Sequence, residues 1–162
     1  MRLALIADTH MPRGARRLPD ECVEHLRAAD AIIHAGDFSG PEPLAEIEAL
    51  GPPLVAVHGN VDTHEVCAAL PERVVFEAEG ARLGIVHDAG PRRGRLGRMR
   101  REFPDADAVV FGHSHLPLHE REGDFQIFNP GSPTERRRAP VHTMGLADVE
   151  DGRISFRLVE LR

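Results

Sequence analysis

The amino-acid sequence predicts an α/β fold in which two β-sheets pack together and helices cover their outer sides. Short apolar runs alternate with helical patterns over residues 1–70, which is typical of parallel β-α-β units. The rest of the chain is richer in strands joined by short turns, so it predicts a second set of paired strands. With 162 residues the chain buries roughly 70% of its unfolded surface, which predicts a single domain over residues 1–162.

The first half predicts three buried strands and three helices. Continuous apolar runs place the strands at Leu3–Ala7, Ala31–Ala35 and Leu54–Val57. Apolar residues at helical spacing place the helices at about Pro19–Ala29, Glu42–Leu50 and Thr63–Leu70. The first strand runs directly into Asp8, which favours a strand over a signal peptide. Ligands of such a sheet are expected beyond the carboxyl ends of its strands.

The second half predicts strand pairs and one arginine-rich helix. A hairpin around Glu79-Gly80 is followed by that helix, by a buried strand and by two further strand pairs. In chain order these elements are Arg73–Glu77, Arg82–Val86, the helix at about Gly94–Glu102, Ala108–Phe111, Leu118–Arg121, Phe125–Phe128, His142–Val149 and Ile154–Leu161. Two packed sheets with helices outside accommodate this order.

Polar side chains that can bind metal follow five of the predicted strands. They are Asp8 and His10, Asp37, Asn60, His87, and the pair His113 and His115. Each group alone also fits an ordinary turn, but five of them at strand ends are hard to explain as turns. Nitrogen and oxygen ligands without a thiolate favour manganese, iron, zinc, cobalt or nickel. Seven ligands exceed the needs of one ion and fit two ions that share a carboxylate, roughly 3.5–4 Å apart.

Composition restricts the partners of the protein. The net charge is −6, and tryptophan and tyrosine are absent, so a nucleic-acid partner is disfavoured. Arginine clusters at Arg92–Arg101 and Arg136–Arg138 fit either solvated surfaces or anion recognition. No apolar run reaches the 18 residues or more of a membrane helix, so no membrane partner is expected. Cys22 and Cys67 lie outside any Cys-x-x-Cys motif, which predicts free thiols and a cytoplasmic location.

The ordered motifs resemble those of the calcineurin-like metallophosphoesterase superfamily. They are Asp-x-His, Gly-Asp, Gly-Asn-x-Asp, a lone histidine and Gly-His-x-His, and they span nearly the whole chain. The short length and the segment Asn129–Ser132 are similar to the small single-domain prokaryotic branch, the YfcE-like phosphodiesterases. This resemblance implies a four-layer αββα sandwich of two mixed sheets and a dinuclear metal site.

The resemblance also implies how the ligands are shared between two divalent ions. One ion is expected on Asp8, His10 and His115, and the other on Asn60, His87 and His113, with Asp37 bridging them. Mn²⁺ is the first choice, and Ni²⁺, Fe, Zn²⁺ and Co²⁺ are alternatives. The implied reaction is hydrolysis of phosphodiester bonds by a hydroxide that bridges the metals. Small diesters are the expected substrates, namely aryl diesters and 2′,3′-cyclic nucleotides.

One catalytic role has no obvious residue. Many superfamily members have a histidine after the Gly-Asn dipeptide as general acid, but this chain has Val61 there. His58 and His64 lie on either side of that position and are the catalytic candidates. Two other classes of function are kept as alternatives: a metal-binding scaffold or interaction module of the retromer-subunit type, and a nuclease for single strands. The sequence also leaves open whether the protein is a monomer or a homodimer.

Overall fold

The computed structural model describes residues 1–12 and 14–162, and this part of the chain contains four helices and ten strands. The helices are α1 (Asp20–Arg27), α2 (Pro41–Glu48), α3 (His64–Ala69) and α4 (Arg95–Glu102). The strands are β1 (Arg2–Ile6), β2 (Ala31–His34), β3 (Leu54–Ala56), β4 (Arg73–Ala78), β5 (Ala81–Val86), β6 (Ala108–Val110), β7 (Leu118–Glu122), β8 (Phe125–Asn129), β9 (His142–Glu150) and β10 (Arg153–Leu161).

The strands form two mixed sheets of five strands each. The first sheet has the order β10-β9-β1-β2-β3, in which β1, β2 and β3 are parallel and β9 and β10 are antiparallel additions. The second sheet has the order β4-β5-β6-β8-β7, with parallel strands at its centre and an antiparallel strand at each edge. The C-terminal hairpin thus extends the N-terminal sheet, because β9 pairs with β1.

Alternating side chains of each sheet contact different layers. In β1, Leu3 and Leu5 face the core between the two sheets, whereas Ala4 and Ile6 face the helices outside. The outer faces are covered by Leu26 of α1, Ile47 of α2 and, on the second sheet, Met99 of α4. The layers therefore follow the order helix, sheet, sheet, helix. The predicted αββα sandwich of two mixed sheets is confirmed.

Most element boundaries lie within two residues of those the sequence predicts, and the differences have local causes. Helix α2 begins at Pro41, since proline lacks an N–H that the first turn would leave unpaired. Strand β1 ends at Ile6 instead of Ala7, because Asp8 already has a left-handed backbone with φ 56°. Within the described part of the chain, none of the helices has the length and apolar character that crossing a membrane requires.

Candidate metal centre

Loops that follow strands of both sheets meet at one edge of the sandwich. The Asp8 N–H donates to the Gly36 carbonyl at 2.9 Å, which joins the loops after β1 and β2. The Gly112 N–H donates to the His87 carbonyl at 2.9 Å, which joins the loops after β5 and β6. The His113 N–H donates to Asp8 Oδ1 at 3.2 Å and connects the two sheets. The predicted ligands therefore surround one small volume.

The first group consists of Asp8, His10 and His115, all of them buried. Nε2 of His115 lies 3.5 Å from Asp8 Oδ1 and 3.2 Å from Nε2 of His10. The Nδ1–H of His115 donates to the backbone carbonyl of Glu135, so its Nε2 atom keeps a free lone pair. Three potential ligand atoms thus converge from loops that lie 105 residues apart in the chain.

The second group consists of Asp37, His87 and His113, with Asn60 beside them. The Nδ1–H of His87 donates to the Ala35 carbonyl at 2.7 Å, which leaves Nε2 as the ligand atom. Nε2 of His87 lies 3.0 Å from Asn60 Oδ1, and Nδ1 of His113 lies 3.0 Å from the same oxygen. Nitrogen and oxygen atoms from four loops, those after β2, β3, β5 and β6, lie close together here.

Asp37 lies between the two groups. Its Oδ2 atom is 3.2 Å from Nε2 of His87 and 3.5 Å from Nε2 of His10, one nitrogen from each group. Its other oxygen accepts a hydrogen bond from the Val61 N–H at 3.0 Å. A carboxylate at this position can contact two ions at once.

The atoms that converge on this site fit divalent cations. Nδ1 of His87 and Nδ1 of His115 each donate to a backbone carbonyl. In the neutral rings each Nε2 atom therefore carries a lone pair, and it faces Asn60 Oδ1 in His87 and Asp8 Oδ1 in His115. A cation between such atoms stabilises this arrangement. Asp8 Oδ2 is buried and has no hydrogen-bond partner among the described residues. A buried carboxylate oxygen without a partner is costly unless a cation binds it. Imidazole and carboxylate ligands suit transition metals such as manganese, nickel or zinc.

Burial and neighbouring charges shift the pKa values of these groups. Burial raises the pKa of the Asp8 carboxyl to about 7. Burial lowers the pKa of His115 to about 4 and also lowers that of His10, so both rings are neutral at pH 7. Burial disfavours charged His87 too, but its hydrogen bond with Asp37 and the charges of Asp8 and Asp37 outweigh this and raise its pKa. Metals bind the neutral imidazole, so a metal at the second group would have to displace the proton that Asp8 and Asp37 favour on His87.

The loops hold several of these residues in an uncommon backbone conformation. Asp8, His10, Asp37, His113 and His115 have positive φ angles between 43° and 71°. For a residue other than glycine this region costs on the order of 1–3 kcal/mol, and it persists only where the surrounding structure enforces it. All five residues are among the predicted ligands, so the uncommon conformation is concentrated at the candidate metal centre.

Two glycines of the predicted motifs permit close backbone approach. A Cβ atom at Gly59 would lie 2.0 Å from Asp37 Oδ1, and one at Gly112 would lie 2.9 Å from Asp8 Oδ2. Any larger residue would displace a carboxylate of the site. The Gly-Asn and Gly-His dipeptides therefore need glycine for steric reasons, independently of turn geometry.

Comparison with known proteins agrees with this geometry. Residues 1–152 match the calcineurin-like phosphoesterase superfamily domain. The chain belongs to this superfamily. A relative named "Probable metallophosphoesterase" from Methanothermobacter thermautotrophicus is 35% identical over 139 residues, covering 85% of this chain and 80% of the relative. The superfamily predicted from the motifs is confirmed.

Two further comparisons show a partial sequence match and a similar fold. Phosphodiesterase YfcE of Escherichia coli is 29% identical over 102 residues, which cover 59% of this chain and 52% of YfcE. A crystal structure of Vps29 from Entamoeba histolytica superposes with a TM-score of 0.79 over 100% of both chains, at 22% identity. At that identity the likeness to Vps29 shows the shared fold.

The two candidate general acids lie in different surroundings. His58 lines a pocket of about 240 Å³ together with Asn60, His87 and Asp88. His64 is the first residue of α3 and is exposed, and it does not line that pocket. Val61, at the position of the usual histidine, has an exposed side chain, and its N–H binds Asp37. His58 thus borders a pocket beside the second group, whereas His64 does not line it.

Two residues that support the site were not singled out as functional from the sequence. Asp62 accepts hydrogen bonds from the N–H groups of Asp37 at 3.0 Å, Ser39 at 2.8 Å and Gly59 at 2.7 Å. Glu135 lies against His10 and His115. The Gly-Asn-x-Asp spacing was a usable signal for Asp62, whereas the sequence around Glu135 carries no comparable pattern.

The segment Asn129–Ser132 reinforces the loops that carry the ligands. Asn129 donates to the Gly112 carbonyl at 3.0 Å, and Ser132 donates to the Asp8 carbonyl at 2.8 Å.

Several clustered arginines have a similar structural role. Arg95 and Arg98 donate to carbonyls in the loop that follows His87, and Arg136 donates to the Ala139 carbonyl. These guanidinium groups are already engaged with backbone, which reduces their availability for an anion.

Proposed function

We propose that this metallophosphoesterase is a dinuclear phosphodiesterase that hydrolyses small diesters, with aryl diesters and 2′,3′-cyclic nucleotides as the preferred class. The observation that supports the proposal most directly is the position of Asp37 Oδ2, within 3.5 Å of a ligand nitrogen of each group. Asp8, His10 and His115 would hold one ion, and Asn60, His87 and His113 would hold the other. Mn²⁺ is the first choice, with Ni²⁺, Fe, Zn²⁺ and Co²⁺ as alternatives.

The chemistry divides between the metals and the residues around them. When bound, two divalent ions supply a water of lowered pKa as nucleophile and neutralise charge on the phosphate. Asp8 and Asp37 offset part of the metal charge, so the site still attracts an anionic diester although the chain carries a net charge of −6. The hydrogen bonds of His87 and His115 to backbone carbonyls keep both rings in the required tautomer.

The pocket beside the second group provides a place for the leaving group. It is lined by His58, Glu72 and Asp88 as well as by Asn60 and His87. Its two acidic side chains disfavour a leaving group that carries a second phosphate. His58 is the imidazole in this pocket that lies outside the proposed ligand set, so we assign to it the protonation of the departing oxygen.

Removing the metals is expected to abolish hydrolysis. Dialysis against a chelator should reduce turnover of an aryl diester to the uncatalysed rate, and Mn²⁺ should restore it. Metal analysis of the untreated protein should give two ions per chain. The chelated protein should also unfold at lower temperature, because ions that bind only the folded state stabilise it. Full activity in a protein shown to be metal-free would refute the proposal.

The two histidine candidates are expected to behave differently when each is replaced by alanine. His58→Ala should lower kcat/KM for an alkyl diester by about 10²-fold, because a poor leaving group needs a proton. The same variant should change turnover of an aryl diester with a good leaving group only slightly. His64→Ala serves as the matched control and should leave both substrates nearly unaffected. Equal losses on the two substrates, or none, would eliminate His58 as the general acid.

A scaffold function is the second candidate, because the structure superposes on Vps29 with a TM-score of 0.79. The two candidates differ in one outcome. A metal-loaded protein that turns over no aryl diester, cyclic nucleotide or monoester would favour the scaffold, whereas turnover would favour the enzyme. Cleavage of single-stranded oligonucleotides in the same panel would instead indicate a nuclease.

We further propose a cytoplasmic location, since Cys22 and Cys67 form no disulfide.

A further inference from the structure

A short turn after β8 carries a carboxylate to the first group of ligands. The Oγ atom of Ser132 accepts hydrogen bonds from the N–H groups of Thr134 at 3.2 Å and Glu135 at 2.8 Å, and its own hydroxyl donates to the Asp8 carbonyl at 2.8 Å. Thr134 also donates to the Thr9 carbonyl. The backbone of Glu135 is thereby fixed to the loop that contains Asp8 and His10.

Glu135 contacts both histidines of this group. Its backbone carbonyl accepts the Nδ1–H of His115, which orients that ring. Its Oε2 atom lies 3.7 Å from Nε2 of His10 and 3.9 Å from Nδ1 of His115. Oε2 is buried and has no hydrogen-bond partner among residues 1–12 and 14–162. A carboxylate oxygen in this state is costly unless positive charge lies nearby.

Arg16 contacts both Oε1 of Glu135 and the loop that contains His10. Its NH2 group lies 3.4 Å from Glu135 Oε1, and its NH1 group donates to the His10 carbonyl at 3.2 Å. The side chains of Arg16 and Glu135 are 20% and 19% exposed, so this is not a freely solvated surface pair. The pair therefore connects the loop of His10 to the backbone that orients His115.

We propose that Arg16 and Glu135 are a positioning pair for the ion held by Asp8, His10 and His115. Arg16 keeps the Glu135 carboxylate against the histidines, and the negative charge on Oε2 favours a divalent ion at this position over the other one. Groups that orient metal ligands typically contribute about 10–100-fold to metal affinity. The inference rests on the proposed dinuclear site, and it adds two residues that lie outside the seven ligands.

Metal affinity, measured without any turnover, tests this pair. Apo protein is titrated with Mn²⁺ or Zn²⁺ in competition with a chromophoric chelator, which resolves two binding constants per chain. In Glu135→Gln, which keeps shape and removes charge, one constant should weaken by about 10–100-fold while the other changes little. Arg16→Gln should weaken the same constant. Glu122→Gln, at an exposed carboxylate that pairs with Arg100, is the matched control and should leave both constants unchanged.

The double variant and the activity separate positioning from other roles. Combining Arg16→Gln with Glu135→Gln should weaken the affected constant little more than Glu135→Gln alone, because the two side chains act through one contact. With saturating metal, kcat of Glu135→Gln should recover to near the wild-type value. Unchanged constants, or equal weakening of both, would overturn the inference while leaving the dinuclear phosphodiesterase intact. A wild-type protein that binds no metal would overturn both.

Discussion

Replacing Asp37 with asparagine is expected to reduce kcat/KM for a diester by roughly 10³-fold, about 4 kcal/mol of transition-state stabilisation. Asparagine can still accept the Val61 N–H through its oxygen, so the loop should keep its shape. It cannot supply a negative charge to both groups, although Asp37 Oδ2 lies 3.2 Å from His87 and 3.5 Å from His10. Metal analysis should show fewer than two ions per chain.

The matched control for Asp37→Asn is Asp124→Asn, at a fully exposed carboxylate in the turn between β7 and β8. This control should retain activity and metal content. Circular dichroism and thermal unfolding of the apo proteins would show whether Asp37→Asn keeps the fold. If Asp37→Asn retained two ions and most of its activity, the bridging position assigned to Asp37 would be wrong.

Replacing Asp62 with alanine should cause the largest loss of stability among the variants considered. Its carboxylate accepts three backbone N–H groups, from Asp37, Ser39 and Gly59, at 2.7 to 3.0 Å. Alanine leaves these donors without their partner in a partly buried loop. Each unsatisfied donor costs about 1–3 kcal/mol, so we expect a loss on the order of 3 kcal/mol after water reaches the most exposed one.

Urea unfolding of the metal-free proteins measures this effect without a contribution from bound ions. Asp62→Asn should fall between alanine and wild type, since it keeps one acceptor oxygen but places an NH₂ group opposite N–H donors. In both variants the hydrogen bond from the Asp37 N–H to residue 62 would be lost or weakened, so their metal affinity should fall as well. A change in free energy of unfolding below about 0.5 kcal/mol, the range of ordinary surface substitutions, would contradict the assigned role.

The layered fold was predictable because its strands carry distinct patterns. The runs at Leu3–Ala7 and Ala31–Ala35 are continuously apolar, as expected of parallel strands with both faces buried, and β1 and β2 pair in parallel. The placement of the C-terminal hairpin was not predictable in the same way. Its pairing with β1 joins residues that are at least 140 positions apart in the chain, and local patterns do not encode such pairings.

The predicted ligand residues share one physical feature that the sequence displays. They follow strands, and the carboxyl ends of parallel strands meet at one edge of a sheet. Asp62 also follows a strand, but its role as a backbone acceptor was not predictable from that position, and Glu135 lies in no comparable pattern. Asp62 acts through hydrogen bonds to backbone groups of other loops, and Glu135 through a carbonyl and a carboxylate that approach His115 and His10 only after folding. The role of His58 as general acid stays a prediction. In the structure this residue lines the pocket beside Asn60 and His87.

Motif order and hydrophobic periodicity can be read along the chain, so they predicted the superfamily, the two-sheet architecture and the candidate metal ligands. The way those residues face one another follows from the packing of the two sheets. This packing set the position of Asp37 between the two groups, the tautomers of His87 and His115, and the burial of the Arg16–Glu135 pair. These features depend on distances between loops from both sheets, and such distances arise only when the sheets pack together.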